Sequence, residues 1–309
     1  MTRNLFRVLS MNLEHNGRDR DGSTTRWEKA MKIVVRMGAD VVLRQELTRA
    51  DMHGCEAKWQ EAERLGGYFP FMASATKESA NPTGVFINPR RLRPLQEFEH
   101  VTGLWHPICN PAVALVGAAP GARLALASFH LCYWDPDKRV SEARRLLTLG
   151  RPGMEAILGG DCNSYPHAAD EADTLPDWGK VKNRSHFEQR TVLSDEGIRV
   201  SDTRPDAILA GRHGDRPGVF VELGQYAVQE RGQSRETALA PTASLWRTDQ
   251  GPRQRIDRIY STPGIARAFL GLEVLDSPEV AEATDHALVL ATFDWDMMRE
   301  ILSEPAAAA

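Results

Sequence analysis

The chain has 309 residues and a formal net charge of −4, with 42% hydrophobic and 26% charged residues. That length suits one large domain or two small ones and is ample for a buried core. The acidic balance excludes a protein that grips duplex DNA through a broad basic face, so any nucleic-acid role must rest on a local patch or on bound cations.

From the N-terminus, residues 5–12 read as a strand ending in Asn12, and 26–37 as a helix with Trp27, Ala30, Met31, Val34 and Met37 on one face. Residues 41–46 form a short apolar strand ending in Glu46. Met52, Cys55, Trp59, Ala62 and Leu65 recur at helical spacing, which predicts a helix over 52–65. Strands follow at 68–74 and 83–87, and Pro89 ends that run. Residues 112–116 and 123–131 flank Ala118–Gly121, a hairpin signal. A helix is predicted over 138–149 and a buried strand over 156–161. Three more strands are predicted at 255–260, 272–275 and 286–293. The stretch 165–253 is polar and rich in Pro, Gly, Arg and Asp, with helix candidates at 205–210 and 220–229. It reads as elaborated loops over one end of the fold. The alanines after Pro305 are expected to fray. No internal repeat stands out.

Strands outnumber helices and often neighbour each other in sequence. That predicts an α/β (α+β) sandwich of two mixed sheets flanked by helices, in a single domain over 1–309. The first residues carry an apolar run broken by Arg7 with no small-residue cleavage site, and no run of about 18 apolar residues occurs. No signal peptide and no membrane span are expected, which makes the cytoplasm the default compartment. Cys55, Cys109, Cys132 and Cys162 form no CxxC pair, so neither a zinc ribbon nor a disulfide framework is offered.

Chemistry-bearing residues recur at strand ends: Asn12, Glu46, His130, Asp161 with Asn163, and Asp285 with His286. Asp257 lies within a strand between Ile256 and Ile259, and a carboxylate buried there needs a partner. Taken singly, a strand-end Asp is usually a turn or cap residue. Together they answer the demands of phosphoester hydrolysis: neutralising phosphate oxygens, activating water and stabilising the leaving oxyanion. Hard cations such as Mg²⁺ take oxygen ligands of this kind.

These residues carry a resemblance. The stretches SMNLEH (10–15), LRQE (43–46), TGVFI (83–87), FHL (129–131), GGDCN (159–163), RIDRIY (255–260) and TDH (284–286) resemble, in that order, the endonuclease/exonuclease/phosphatase superfamily. That resemblance implies a deoxyribonuclease I-like four-layer sandwich and a Mg²⁺-dependent hydrolase, with Mn²⁺ as substitute. Carried over, Glu46 is the principal metal ligand, assisted by Asn12, with Asp285 beside the metal. Asp161 orients or deprotonates the attacking water, Asn163 holds a phosphate oxygen, and Asp257 orients His286 against the phosphoryl group. His130 is a second phosphate contact and candidate general acid. It stands where repair-type members have Tyr, and Glu78 is its candidate partner.

The expected substrate is a phosphate ester, nucleic acid or nucleotide among the candidates, with phosphodiesterase or nuclease activity preferred. A phosphatase of a small phosphorylated metabolite is the alternative, and a non-catalytic binding module on the same fold the minority one. Tyr133 and Trp134 are equally suited to stacking a substrate or to loop packing. Arg255 and Arg258 straddle Asp257 and are expected in ion pairs or on a solvated face. Arg247, Arg253, Lys180, Lys182 and Arg184 are candidate phosphate contacts in the variable region. Cys162 is expected in the core. The other histidines, His106 included, are expected to be structural or on the surface.

Overall fold

The computed structural model describes residues 4–247 and 251–304; the alanine tail of the sequence reading lies outside the described residues. The elements run β1 (Leu5–Asn12), α1 (Thr25–Met37), β2 (Val41–Gln45), α2 (Glu56–Arg64), β3 (Phe69–Met72), β4 (Gly84–Ile87), β5 (Leu92–His100), β6 (Ile108–Leu115) and β7 (Leu124–His130). They continue as α3 (Pro136–Leu146), β8 (Glu155–Asp161), α4 (Arg184–Arg190), β9 (Thr191–Leu193), β10 (Arg199–Ser201), α5 (Arg204–Ala210), β11 (Val221–Glu222), α6 (Leu223–Arg231) and α7 (Arg235–Ala238). The last are β12 (Asp257–Ser261), α8 (Pro263–Ala266), β13 (Phe269–Leu275), α9 (Pro278–Ala281), β14 (Leu288–Asp294) and α10 (Trp295–Ser303).

Two mixed six-stranded sheets pack face to face, in the orders β13-β14-β1-β2-β4-β3 and β11-β12-β8-β7-β6-β5. Each holds one parallel pair, β1 with β2 and β7 with β8, and the remaining pairings are antiparallel. A parallel pair needs a crossover, and helices α1 and α3 supply them. Helix α1 ends at Gly38, whose φ of 58° is the left-handed cap that glycine adopts without strain. Helix α3 starts at Asp135, whose carboxylate accepts the backbone N–H groups of Asp137 and Lys138, with Pro136 in the first turn.

The period of two along each strand divides its side chains between layers. Phe6, Val8, Val41, Leu43, Leu124, Leu126, Ile157 and Ile259 meet between the sheets. Leu9, Met11, Val42 and Phe86 turn outward onto Ala30, Met31, Ile33 and Val34 of α1. Ala125, Ala127, Phe129, Ala156 and Leu158 turn outward onto Ala143 and Leu146 of α3. The layers are therefore helix, sheet, sheet, helix, as the sequence predicts.

The inner face changes character at one end. In β1 it runs Phe6, Val8, Ser10, Asn12; in β7, Leu124, Leu126, Ser128, His130; in β8, Ile157, Gly159, Asp161. Register sets His130 beside Asp161 and Asp161 beside Asp257. Below them, Gln45 donates to the Ser128 hydroxyl (2.9 Å), which donates to the Arg44 carbonyl (2.7 Å). Thr83 donates to the Ser128 carbonyl (2.7 Å). These bonds satisfy the polar groups that close the apolar core.

Gly159 and Gly160 allow this close approach. A methyl on Gly160 would fall inside the contact shell of the Phe129 carbonyl oxygen across the β7–β8 pair. Gly160→Ala is expected to cost about 2 kcal/mol by forcing the strands apart, read as a lower urea midpoint.

The structure corrects several boundaries. Helix α2 begins at Glu56, not Met52, because His53 and Cys55 have positive φ and hold the preceding residues in turns. Strand β5 adds to the predicted elements: it is an edge strand with only Leu92 buried, so it lacks the alternation that betrays a strand. The polar stretch 165–253 contains helices α4 to α7, the β9–β10 hairpin and β11 rather than loops alone. The helix expected over 220–229 begins at Leu223 and runs to Arg231 as α6, because β11 occupies 221–222 and Glu222 caps the helix by accepting from Gly224 and Gln225. Among the described residues no helix is long and apolar enough to cross a membrane.

Candidate active site

The polar end of the sandwich gathers residues from both sheets. Asp257, buried on β12, accepts from Nδ1 of His286 at 2.8 Å, which is the partner that a carboxylate at that position requires. Nε2 of His286 lies 4.0 Å from Oδ2 of Asp161. The same Oδ2 receives the Asn12 amide at 3.3 Å and lies 3.4 Å from Nε2 of His130. The other Asp161 oxygen is held by the Asn163 backbone N–H at 2.7 Å. One carboxylate oxygen is thus fixed, and the other faces a ring of donors.

Burial opposes charge on His286, but the carboxylates of Asp257, Asp285 and Asp161 outweigh it and hold the imidazole well above its ordinary value. Burial raises Asp257 and the nearby Asp161 adds to this, while His286 works the other way. Burial, then the charges of His286 and Arg190, push His130 down to about 3, so its ring is neutral near pH ~7. Burial also raises Glu46.

The loop around Glu46 is held from below. Arg44 is fully buried and donates to Glu61 (2.7 Å), to the Asn16 side chain (2.7 Å) and to the carbonyls of Gln45 (2.7 Å) and Met11 (3.3 Å). It joins the ends of β1 and β2 to the turn after β1. Glu46 itself has φ of 56° and accepts the His15 backbone N–H at 3.0 Å. On the far side, Thr284 donates to the Asn12 carbonyl (2.9 Å), pinning the turn that carries Asp285 and His286. Arg247 lies 3.5 Å from Glu14 and 3.9 Å from Asp285.

All eight sequence-predicted residues lie at this end of the sandwich, with differences in detail. The Asn163 amide donates to the Leu131 carbonyl (2.8 Å), which leaves one N–H for another acceptor. Among the described residues, the group of three or more His, Cys, Asp or Glu whose ligand atoms lie within 4.8 Å of one another is Asp161, Asp257 and His286. His286 already spends Nδ1 on Asp257, so that trio is a histidine–carboxylate dyad facing a carboxylate. Glu78 is exposed and does not partner His130. The neighbour of His130 is His106, stacked with ring centroids 4.2 Å apart and bonded through Nδ1 to Ser79 at 2.6 Å. Burial, then His130, lowers His106 to about 2, so two neutral rings stack.

Arg255 and Arg258 are buried rather than solvated. Arg255 pairs with Glu171 (2.6 Å) and Glu222 (3.1 Å), and Arg258 contacts Cys162 (3.4 Å) and the Ser164 carbonyl (2.6 Å). Arg253 pairs with Asp276, Lys180 with Asp177 and Arg184 with Glu188, all on the surface. Sequence alone assigns no support role to Arg44, Gln45, Ser128 or Thr83, while His106, expected to be structural or on the surface, is buried against His130. The inner-face switch from apolar to polar at alternate positions is the signal that would have found Ser128 and Gln45.

No family model matches the chain, and no curated protein does either. Solved structures do. TDP2 of D. rerio, complexed with a single-strand DNA product, superposes with a TM-score of 0.59 at 16% identity over 94% of this chain and 98% of that one. ANGEL2, a 2′,3′-cyclic phosphatase in complex with adenosine-2′,3′-vanadate, gives 0.57 at 14% over 95% and 98%. An endonuclease/exonuclease/phosphatase protein of Bacteroides vulgatus gives 0.58 at 15% over 94% and 98%. The chain has the fold of the endonuclease/exonuclease/phosphatase, or deoxyribonuclease I-like, superfamily.

Proposed function

We propose that this chain is a metal-dependent phosphoester hydrolase that attacks phosphorus in line with water and prefers a phosphodiester. The carrying observation is His286, which reaches across the sheet interface to Asp257 and to the neighbouring Asp161, whose Oδ2 is ringed by Asn12, His130 and His286.

The residues fit a hard divalent cation. Among the described residues, buried oxygens of Asn12 and Asp285 have no hydrogen-bond partner, and Glu46 adds a carboxylate, so the donor set is all oxygen. Glu46, Asn12 and Asp285 would hold it, and Mg²⁺ (or Mn²⁺) bound there would supply Lewis-acid neutralisation of the phosphate. Asp161 orients the attacking water through Oδ2 and takes its proton. His286, charged and braced by Asp257, donates to a phosphate oxygen. His130 is a neutral donor to the same group. A neutral ring cannot supply an imidazolium proton, which weighs against the general-acid role that the resemblance offers. Such a site works through positioning and electrostatics.

Preference for a nucleotidyl diester draws support from the occupants of two structures of the same fold, a single-strand DNA product and adenosine-2′,3′-vanadate. The test is a panel of bis-p-nitrophenyl phosphate, p-nitrophenyl phosphate, single-strand DNA, plasmid and RNA, each with Mg²⁺ and with EDTA. Diester turnover that EDTA abolishes and Mg²⁺ restores is expected. Turnover of the monoester alone would favour the metabolite phosphatase, and no Mg²⁺-dependent turnover at all would favour a binding module.

A further inference from the structure

Beside Glu46 the surface opens into a cavity of about 810 Å³, a size typical of ligand sites. None of the eight site residues lines it, but two of its lining residues, His15 and Thr48, contact Glu46. The His15 backbone N–H donates to the Glu46 carboxylate at 3.0 Å, and the Thr48 hydroxyl lies 3.5 Å from the Glu46 carbonyl.

The charges lining it do not balance locally. The acids are engaged: Glu14 by Arg26 and Arg247 (3.5 Å each), Asp19 by Arg26 (2.8 Å), and Glu56 by the Gln60 amide (2.8 Å). Arg26 is used up by those contacts. Among the described residues, Arg18 makes one side-chain bond, to Gln60 at 3.1 Å, and its Nε is buried without a partner. Among the described residues no carboxylate pairs with Arg18, Arg20 or Arg49. Four arginines line the cavity against three carboxylates, Glu14, Asp19 and Glu56, so one positive charge is in excess and three guanidiniums keep donors that an anion with several acceptor oxygens can take through forked bonds. The backbone here is also unusual: His15, Asn16, Glu46, Arg49, His53 and Cys55 all have φ between 51° and 62°. Such conformations cluster where a ligand must be clamped.

We propose that this cavity binds a second phosphate of the substrate, covalently joined to the one being cleaved. The inference rests on the phosphoester-hydrolase reading and narrows it to substrates with two phosphates. The second phosphate is either a terminal group on a nucleotide or the next linkage of an oligonucleotide backbone.

Calorimetry on the full chain in Mg²⁺ compares thymidine 3′,5′-bisphosphate with thymidine 5′-monophosphate. The bisphosphate is expected to bind about tenfold more tightly, and Arg49→Gln and Arg20→Gln are each expected to erode most of that gain. Neither substitution should change kcat/KM for bis-p-nitrophenyl phosphate, which has no second phosphate. A short oligothymidylate with and without a 5′-phosphate, titrated into Asp161→Asn so that its linkages are not cleaved, separates the sources: a gain from the terminal group assigns the nucleotide type, and equal affinity above that of the monophosphate assigns the backbone. Equal wild-type affinity for the bisphosphate and the monophosphate, or a preference that survives both substitutions, overturns the proposal. Failure to hydrolyse the simple diester would instead strike the hydrolase reading and leave the binding comparison intact.

Discussion

His286→Ala is expected to lower kcat on a simple phosphodiester by roughly 10²–10⁴-fold with the fold intact, and Asp257→Asn by an amount in the same range. The first removes the charged donor nearest Oδ2 of Asp161. The second is the finer probe. Asparagine preserves the shape of Asp257 and can still accept from Nδ1 of His286, but the negative charge is gone. Burial then lowers the imidazole with one fewer carboxylate to oppose it. The sign follows. His286 is needed protonated, so activity falls as pH rises through its value, and in Asp257→Asn that fall comes at lower pH. A profile of kcat/KM on bis-p-nitrophenyl phosphate reads the shift directly. Circular dichroism of each variant separates lost chemistry from lost structure. Rates unchanged in both variants would mean that the dyad is a structural pair and that the catalytic reading is wrong.

Arg44→Leu is expected to cost about 3–5 kcal/mol, because it strands the Glu61 carboxylate in a site from which water is excluded. Replacing both partners, Arg44→Leu with Glu61→Leu, is expected to recover much of that loss, since two apolar groups leave no charge unpaired. Activity should not recover with it. Arg44 also holds the Asn16 side chain and the carbonyl of Gln45, which precedes Glu46. Urea melts of the single and double variants beside their kcat values test the division. A double variant that regains both stability and rate would reduce Arg44 to half of a buried ion pair.

The sequence displayed the site more openly than its support. Asn12, Glu46, His130, Asp161 and His286 stand at ends of apolar runs, where side-chain type and strand period together mark them. Asp257 is conspicuous because its neighbours are apolar. Arg44 sits among such neighbours too, but its partners lie at Met11, Asn16 and Glu61, and nothing local announces three separate attachments. Glu78 looked suitable for His130 because it is a carboxylate, yet it points to solvent while His106 fills the place. Imidazole stacking leaves no trace in spacing. The helices between β8 and β12 were only partly visible because most are short; α7, for example, has four residues, about one turn, which is too few to show a helical period.

The two sheets contribute jointly to the site: Asn12, Glu46 and His286 come from one, and His130, Asp161 and Asp257 from the other. The hydrogen bonds that close it span long stretches of chain, 149 residues from Asn12 to Asp161 and 272 from Thr284 to Asn12. Contacts this distant in sequence form late, after the loop-closure entropy has been met. A folding chain with one sheet complete and the other undocked would have most of its secondary structure and no assembled site. Recovery of activity therefore times the docking of the sheets, while helical signal times only local events.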